Sequence, residues 1–118
     1  MNWTALADEA QLDAVDALSA TRPVLIFKHS TRCSISSAAL HRLESAWSAD
    51  DDRLGALYYL DLIRFRDISN AIADRYGVQH ESPQVLVIRN GHCVHHASHF
   101  AITYADSKEA LGAAGVPA

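Results

Sequence analysis

The sequence predicts an α/β fold: a four-stranded mixed sheet with helices on both faces. Three observations lead there. The apolar run Val24-Leu25-Ile26-Phe27 and the run Ala56-Leu57-Tyr58-Tyr59-Leu60-Asp61 are separated by a helical pattern. A β-α-β unit of this kind places its two strands parallel, with a right-handed crossover. A third run, Gln84-Val85-Leu86-Val87-Ile88, leads into Asn90-Gly91, a strong tight-hairpin signal, so the strand from His92 to His96 returns antiparallel.

The other elements follow in order. Leu12, Val15 and Leu18 fall at helical spacing and predict a first helix from about Ala7 to Ala20. Thr21-Arg22-Pro23 ends it, because proline and the residue before it resist helix. Residues 24–28 read as a buried strand. A helix then starts near Cys33, with Ala39, Leu40, Leu43, Ala46 and Trp47 on one face, and Ala49-Asp50-Asp51-Asp52 reads as a polar loop. Ile68, Ile72 and Tyr76 predict a helix from about Asp67 to Tyr76, and Gly77 suits its C-terminal cap. The last helix is expected from Tyr104 to Leu111. This order is the thioredoxin-like arrangement, whose reactive cysteine follows the first core strand, where Cys33 lies.

The 118 residues point to one domain over 1–118, with the small, breaker-rich tail 112–118 expected to fray. A hydrophobic content of 49% and a charged content of 20% allow a sizeable core. No apolar run approaches the ~20 residues that span a bilayer, and the first residues lack the pattern of a signal peptide, so a cytoplasmic protein without a membrane partner is expected. The formal charge of -4 argues against nucleic acid as a partner. Two cysteines in such a chain are not a disulfide framework.

Ser30-Thr31-Arg32-Cys33-Ser34-Ile35-Ser36 carries the chemistry. A cysteine at a strand-to-helix turn meets unpaired backbone N–H groups and the positive end of the helix dipole, which favour a thiolate. Three residues on stands Ser36 rather than a second cysteine. Such a site forms a mixed disulfide but closes no dithiol ring. Ser36 is a candidate hydroxyl donor to the thiolate, against the bland reading of a first-turn serine. Pro83 is expected to follow a cis Ser82-Pro83 bond facing Cys33, exposing the Ser82 backbone to an extended substrate, although proline is also tolerated at a strand start. Lys28, His29 and Arg32 form a basic cluster that would hold the thiolate and attract an anionic thiol, or else a solvated strand end.

Cys93, just past the turn, reads as a small strand residue, with a distant resolving thiol for Cys33 as the alternative. His92 and His96 are expected to share one strand face with His95 on the other, which splits the His92, His95, His96 and His99 cluster and argues against a metal site.

The run Phe27-Lys28-His29-Ser30-Thr31-Arg32-Cys33-Ser34-Ile35-Ser36 closely resembles the signature of the monothiol bacilliredoxin family, of the YtxJ/BrxC type. Trp3, Tyr58-Tyr59-Leu60-Asp61-Leu62, Arg66-Asp67-Ile68-Ser69-Asn70 and Glu81-Ser82-Pro83-Gln84 extend the likeness over most of the chain. Members often carry proline where this chain has Ser34, a difference of loop stiffness more than of chemistry. The resemblance implies a thioredoxin-like fold, Cys33 as attacking thiol, Pro83 as the cis-proline, and bacillithiol as the low-molecular-weight thiol cosubstrate, with no metal. It implies bacillithiolated client proteins as substrates and a second bacillithiol or a thiol-disulfide reductase to regenerate Cys33. The residues alone reach a monothiol exchange protein. Two rivals are a redox-sensing or interaction module modified at Cys33, and an iron-sulfur carrier of the monothiol glutaredoxin kind, whose motif carries glycine and phenylalanine where this chain has Ser34 and Ile35.

Overall fold

The computed structural model describes residues 1–115. Its elements run β1 (Trp3–Ala5), α1 (Gln11–Ser19), β2 (Val24–His29), α2 (Ser34–Ala46), a 3-10 segment (Ala49–Leu54), β3 (Ala56–Asp61), α3 (Arg66–Tyr76), β4 (Gln84–Arg89), β5 (His92–Ser98), a 3-10 turn (His99–Ala101) and α4 (Tyr104–Ala114).

The sheet has five strands in the order β1-β3-β2-β4-β5, one more than the four expected. The extra strand is β1, which pairs parallel to β3 through Trp3, Thr4 and Ala5. Three residues, mostly exposed, show no period for a strand signal to rest on. β1, β3 and β2 are parallel to one another, while β4 runs antiparallel to β2 and β5 antiparallel to β4.

β2 and β4 occupy the middle of the sheet. Both faces of each are covered, so their sequences are continuous apolar runs rather than alternating ones. Val24 and Ile26 of β2 pack with Leu12 and Val15 of α1 and Ile68 and Ile72 of α3. Leu25 and Phe27 point to the other face, against Ala39 and Leu43 of α2, Ile102, and Leu111 of α4.

Local chemistry sets the boundaries. α1 begins at Gln11, four residues later than expected, because the Gln11 side-chain carbonyl accepts from the Ala7 and Asp8 N–H groups and holds them in a turn. The acidic stretch after α2 is a 3-10 segment rather than an open loop, with Ser48 and Asp51 forming a reciprocal capping box. Gly77 caps α3 at φ 65, a left-handed conformation that glycine adopts without strain. Asn90 and Gly91 both have positive φ, 54 and 75, as the two-residue turn between β4 and β5 requires. α4 runs to Ala114, past the expected Leu111, so residues 112–114 of the tail are helical, while 116–118 lie outside the described residues.

β5 departs from its expected geometry. A bulge between Val87 and Ile88 pairs Val87 with His95 but Ile88 with Cys93, leaving Val94 as the extra residue. Cross-strand partners share a face. His92, opposite Arg89, therefore lies on the α2/α4 face, and His96, opposite Leu86, on the α1/α3 face. The expectation that His92 and His96 share a face is corrected by this one inserted residue.

Candidate functional site around Cys33

β2 and β3 end side by side, with His29 opposite Asp61, and β4 begins beside them with Gln84 opposite Lys28. Three loops therefore meet at one end of the sheet: Ser30–Cys33 after β2, Leu62–Phe65 after β3, and Val78–Pro83 before β4. The Leu62 N–H donates to the His29 carbonyl at 2.9 Å and ties the first two together. The Ser82-Pro83 peptide bond is cis.

Cys33 is the N-cap of α2, in extended conformation and half-buried. Its N–H donates to the Ser30 carbonyl at 3.1 Å, closing the turn that leads into the helix. The thiol therefore sits beside the first-turn N–H groups, where the helix favours negative charge.

Ser36 is fully buried, and its hydroxyl serves the turn. Its Oγ accepts from the Ser30 N–H at 3.0 Å and lies 2.6 Å from His29 Nδ1. One hydroxyl therefore serves both the Ser30 backbone and the His29 ring. No hydrogen bond joins Ser36 to Cys33 among the described residues, so the expected donor to the thiolate is instead the tie that holds Ser30 and His29 to α2. Burial lowers the His29 pKa from its usual value, against the opposing charges of Asp61 and Glu44.

Lys28 is placed differently from the surface cluster expected of it. It is fully buried on the α1/α3 face of β2. Its ammonium donates to the Ser69 carbonyl at 3.1 Å and faces His80 Nδ1 at 3.4 Å. The Ser69 hydroxyl lies 3.1 Å from the same nitrogen. Burial lowers the Lys28 pKa to about 8. His80 is also lowered, first by burial and then by the charges of Lys28 and Arg66. The Lys28 ammonium and the Ser69 hydroxyl thus both face Nδ1 of the His80 ring. Together with the Gln84 amide, which donates to the Gln79 carbonyl at 3.0 Å, Lys28 fastens the loop before Pro83 to α3 and β4. His29 is likewise buried, which leaves Arg32, exposed beside Cys33, as the surface cation of the expected cluster.

Cys93 lies at the far end of the sheet. It pairs with Ile88, which pairs with Val24 at the start of β2. The six residues of β2 alone span ~20 Å. Disulfide formation needs Cα atoms within ~7 Å, so Cys93 does not reach Cys33. Burial raises the Cys93 pKa, which keeps it a thiol.

The sequence reading missed the His29–Ser36 tie, His80 and the exposed side chains that surround the turn. A period or motif marks none of them. Ile35, Ile63 and Phe100 are exposed large apolar residues on the first turn of α2, the loop after β3 and the turn after β5. The His99 N–H donates to the Pro83 carbonyl, so that last turn also borders the site. Among the described residues no group of three or more His, Cys, Asp or Glu side chains is placed to hold a metal ion. No helix among them is long and apolar enough to cross a membrane.

The profile of the family described as monothiol bacilliredoxin BrxC matches residues 4–106, a stretch that includes the thiol turn and all three loops. The chain belongs to that family. A solved structure described as an inferred oxidoreductase with a thioredoxin fold is 29% identical, with a TM-score of 0.76 over 92% of each chain. Malassezia sympodialis thioredoxin is 12% identical at a TM-score of 0.74, over 98% of this chain and 92% of that one. Fasciola hepatica thioredoxin is 18% identical at 0.65, over 91% and 94%. The thioredoxins share the fold. Membership of the bacilliredoxin family, joined to the thiol at the helix start, makes this chain a thiol-redox protein of the oxidoreductase type.

Proposed function

We propose that this bacilliredoxin-family chain is a cytoplasmic, single-domain monothiol exchange enzyme that removes bacillithiol from protein mixed disulfides through Cys33. The observation that carries the reading is a half-buried thiol at the N-cap of α2 whose only fellow cysteine lies at the opposite end of the sheet. In the first step the Cys33 thiolate attacks the bacillithiol sulfur of the client's mixed disulfide. A new Cys33–bacillithiol bond forms, the client–bacillithiol bond breaks, and the client leaves as a thiolate that takes up a proton. In the second step an outside thiolate attacks the bacillithiol sulfur and frees Cys33. Where that thiolate is a second bacillithiol, the product is bacillithiol disulfide; a thiol-disulfide reductase can serve instead.

The surroundings support a protein client. Ile35, Ile63 and Phe100 offer exposed apolar surface around the thiol, and the Ser82 backbone next to the cis bond is available to an extended chain. Ser36 holds the turn in this reading, and Lys28 holds the loop that carries Ser82 and Pro83.

The test uses the reduced protein and a bacillithiolated model client. Intact mass should show bacillithiol leaving the client and one adduct appearing on Cys33, released again by added bacillithiol. A client that keeps its adduct at equimolar protein would overturn the reading.

A further inference from the structure

The geometry points to Arg64 and Arg66, together with Arg32, as a carboxylate-binding rim that selects anionic low-molecular-weight thiols for Cys33. The inference deepens the exchange reading above and rests on it.

Most cations of this chain are already engaged. Arg53 pairs with Asp50, Arg75 with Asp13 and Asp16, and Lys108 with Asp51. Arg42 and Arg89 donate to backbone carbonyls, and Lys28 is buried on Ser69 and His80. Among the described residues four guanidiniums have no acceptor: Arg22, Arg32, Arg64 and Arg66. Three of these four stand at the thiol end.

Their placement follows from the register. Arg32 precedes Cys33 in the turn after β2, and Arg64 lies in the loop after β3. Neighbouring strands are ~5 Å apart, and the Leu62 N–H to His29 carbonyl bond keeps these two loops together. Arg66 opens α3 beside His80, which leads to Ser82 and Pro83. All three arginines are exposed. Arg64 is not free to wander, because its guanidinium lies over the Phe65 ring at 5.1 Å from the centroid.

Asp61, Asp67 and Glu81 share this end of the molecule, yet none forms an ion pair with the three guanidiniums. The arginines therefore keep their planar sets of donors open with carboxylates in the neighbourhood. A guanidinium with open donors recognises carboxylate in a bidentate way, which an ammonium does not. The ligand class that fits is a small thiol bearing carboxylates, held while its sulfur is joined to Cys33.

Competing small disulfides test this on the full chain. The reduced protein is given dithiodipropionate, a dianion, or bis(2-hydroxyethyl) disulfide, which is neutral, and the rate of the Cys33 adduct is followed by mass. In each case the Cys33 thiolate attacks one sulfur, the mixed disulfide forms, and the second half leaves as thiolate. The readout is the ratio of anionic to neutral rates, compared between variants so that the intrinsic reactivity of each reagent cancels. Arg64→Gln with Arg66→Gln should lower the ratio ~5- to 10-fold, and each single change ~2- to 3-fold. Arg22→Gln, at the other end of β2, should leave it at the wild-type value. Salt raised from 20 to 500 mM should erase about the same factor in the wild type. A ratio unmoved by the double and both single variants, with normal adduct formation from the neutral reagent, overturns the rim alone. Failure of Cys33 to form an adduct with either reagent overturns the exchange reading and the rim together.

Discussion

Ser36 Oγ and His29 Nδ1 lie 2.6 Å apart, joined beneath the turn that presents Cys33. One buried hydroxyl thereby binds the end of β2, the Ser30 backbone and the first turn of α2. The orientation of the thiol depends on a bond that the thiol does not make.

That bond makes Ser36→Ala a stability variant. The change leaves the half-buried Ser30 N–H and the buried His29 Nδ1 without this partner. Unfolding by denaturant should show a loss of about 1–3 kcal/mol. A loss below about 0.5 kcal/mol would mean that the turn stands without this hydroxyl.

The two cysteines should separate cleanly. Cys33→Ala should abolish adduct formation with any disulfide, and Cys93→Ala should keep at least half of the wild-type rate. Equal losses in the two variants would contradict their placement at opposite ends of the sheet.

Lys28 predicts a stability trend at alkaline pH. Its pKa is about 8 in the folded protein and 10.5 in its ordinary state, so the unfolded chain binds more protons between those values. Stability from this group therefore rises as pH climbs from about 8 to 10.5. Denaturant midpoints of the wild type relative to Lys28→Met should shift in favour of the wild type over that window. A flat difference would mean that the ammonium is solvated.

Asp51 predicts the opposite end of the scale. The Ser48 N–H, the Tyr104 hydroxyl and Lys108 hold its carboxyl well below its ordinary 3.8, the backbone donor contributing most. Its stabilisation is present above that ordinary value and is lost as pH falls through and below it. The advantage of the wild type over Asp51→Asn, read from thermal midpoints, should be constant from pH 7 to 5 and shrink below about pH 4. An advantage that persists unchanged to pH 2 would show that the three donors do not favour the ionised form.

The parts of this fold legible in the sequence are those that physics writes locally. β2 and β4 are buried on both faces and read as apolar runs; α3 ends at a glycine in the left-handed conformation; Asn90-Gly91 makes the turn its residue types require. The thiol turn was legible because the cysteine stands where a strand gives way to a helix. β1 was not, because three residues at an edge carry no alternation. The bulge in β5 was not, because one inserted residue changes the face of each later side chain without changing composition. Lys28 was read as a surface charge because charged side chains are rarely buried fully; its burial depends on Ser69 and His80, more than forty residues away. Arg64 and Arg66 acquire their place only when the register sets their loop beside Cys33.

The distance between the two sulfurs also has a kinetic consequence. With Cys93 beyond reach, no first-order intramolecular route clears the oxidised form of Cys33. Under the exchange cycle proposed above, each turnover becomes a two-stroke, ping-pong cycle whose second stroke is second order in a separate reductant. In that cycle the steady-state fraction of loaded protein would track the ratio of oxidised clients to reduced thiol around it, so a blot for the Cys33 adduct would act as a gauge of that ratio in the cell.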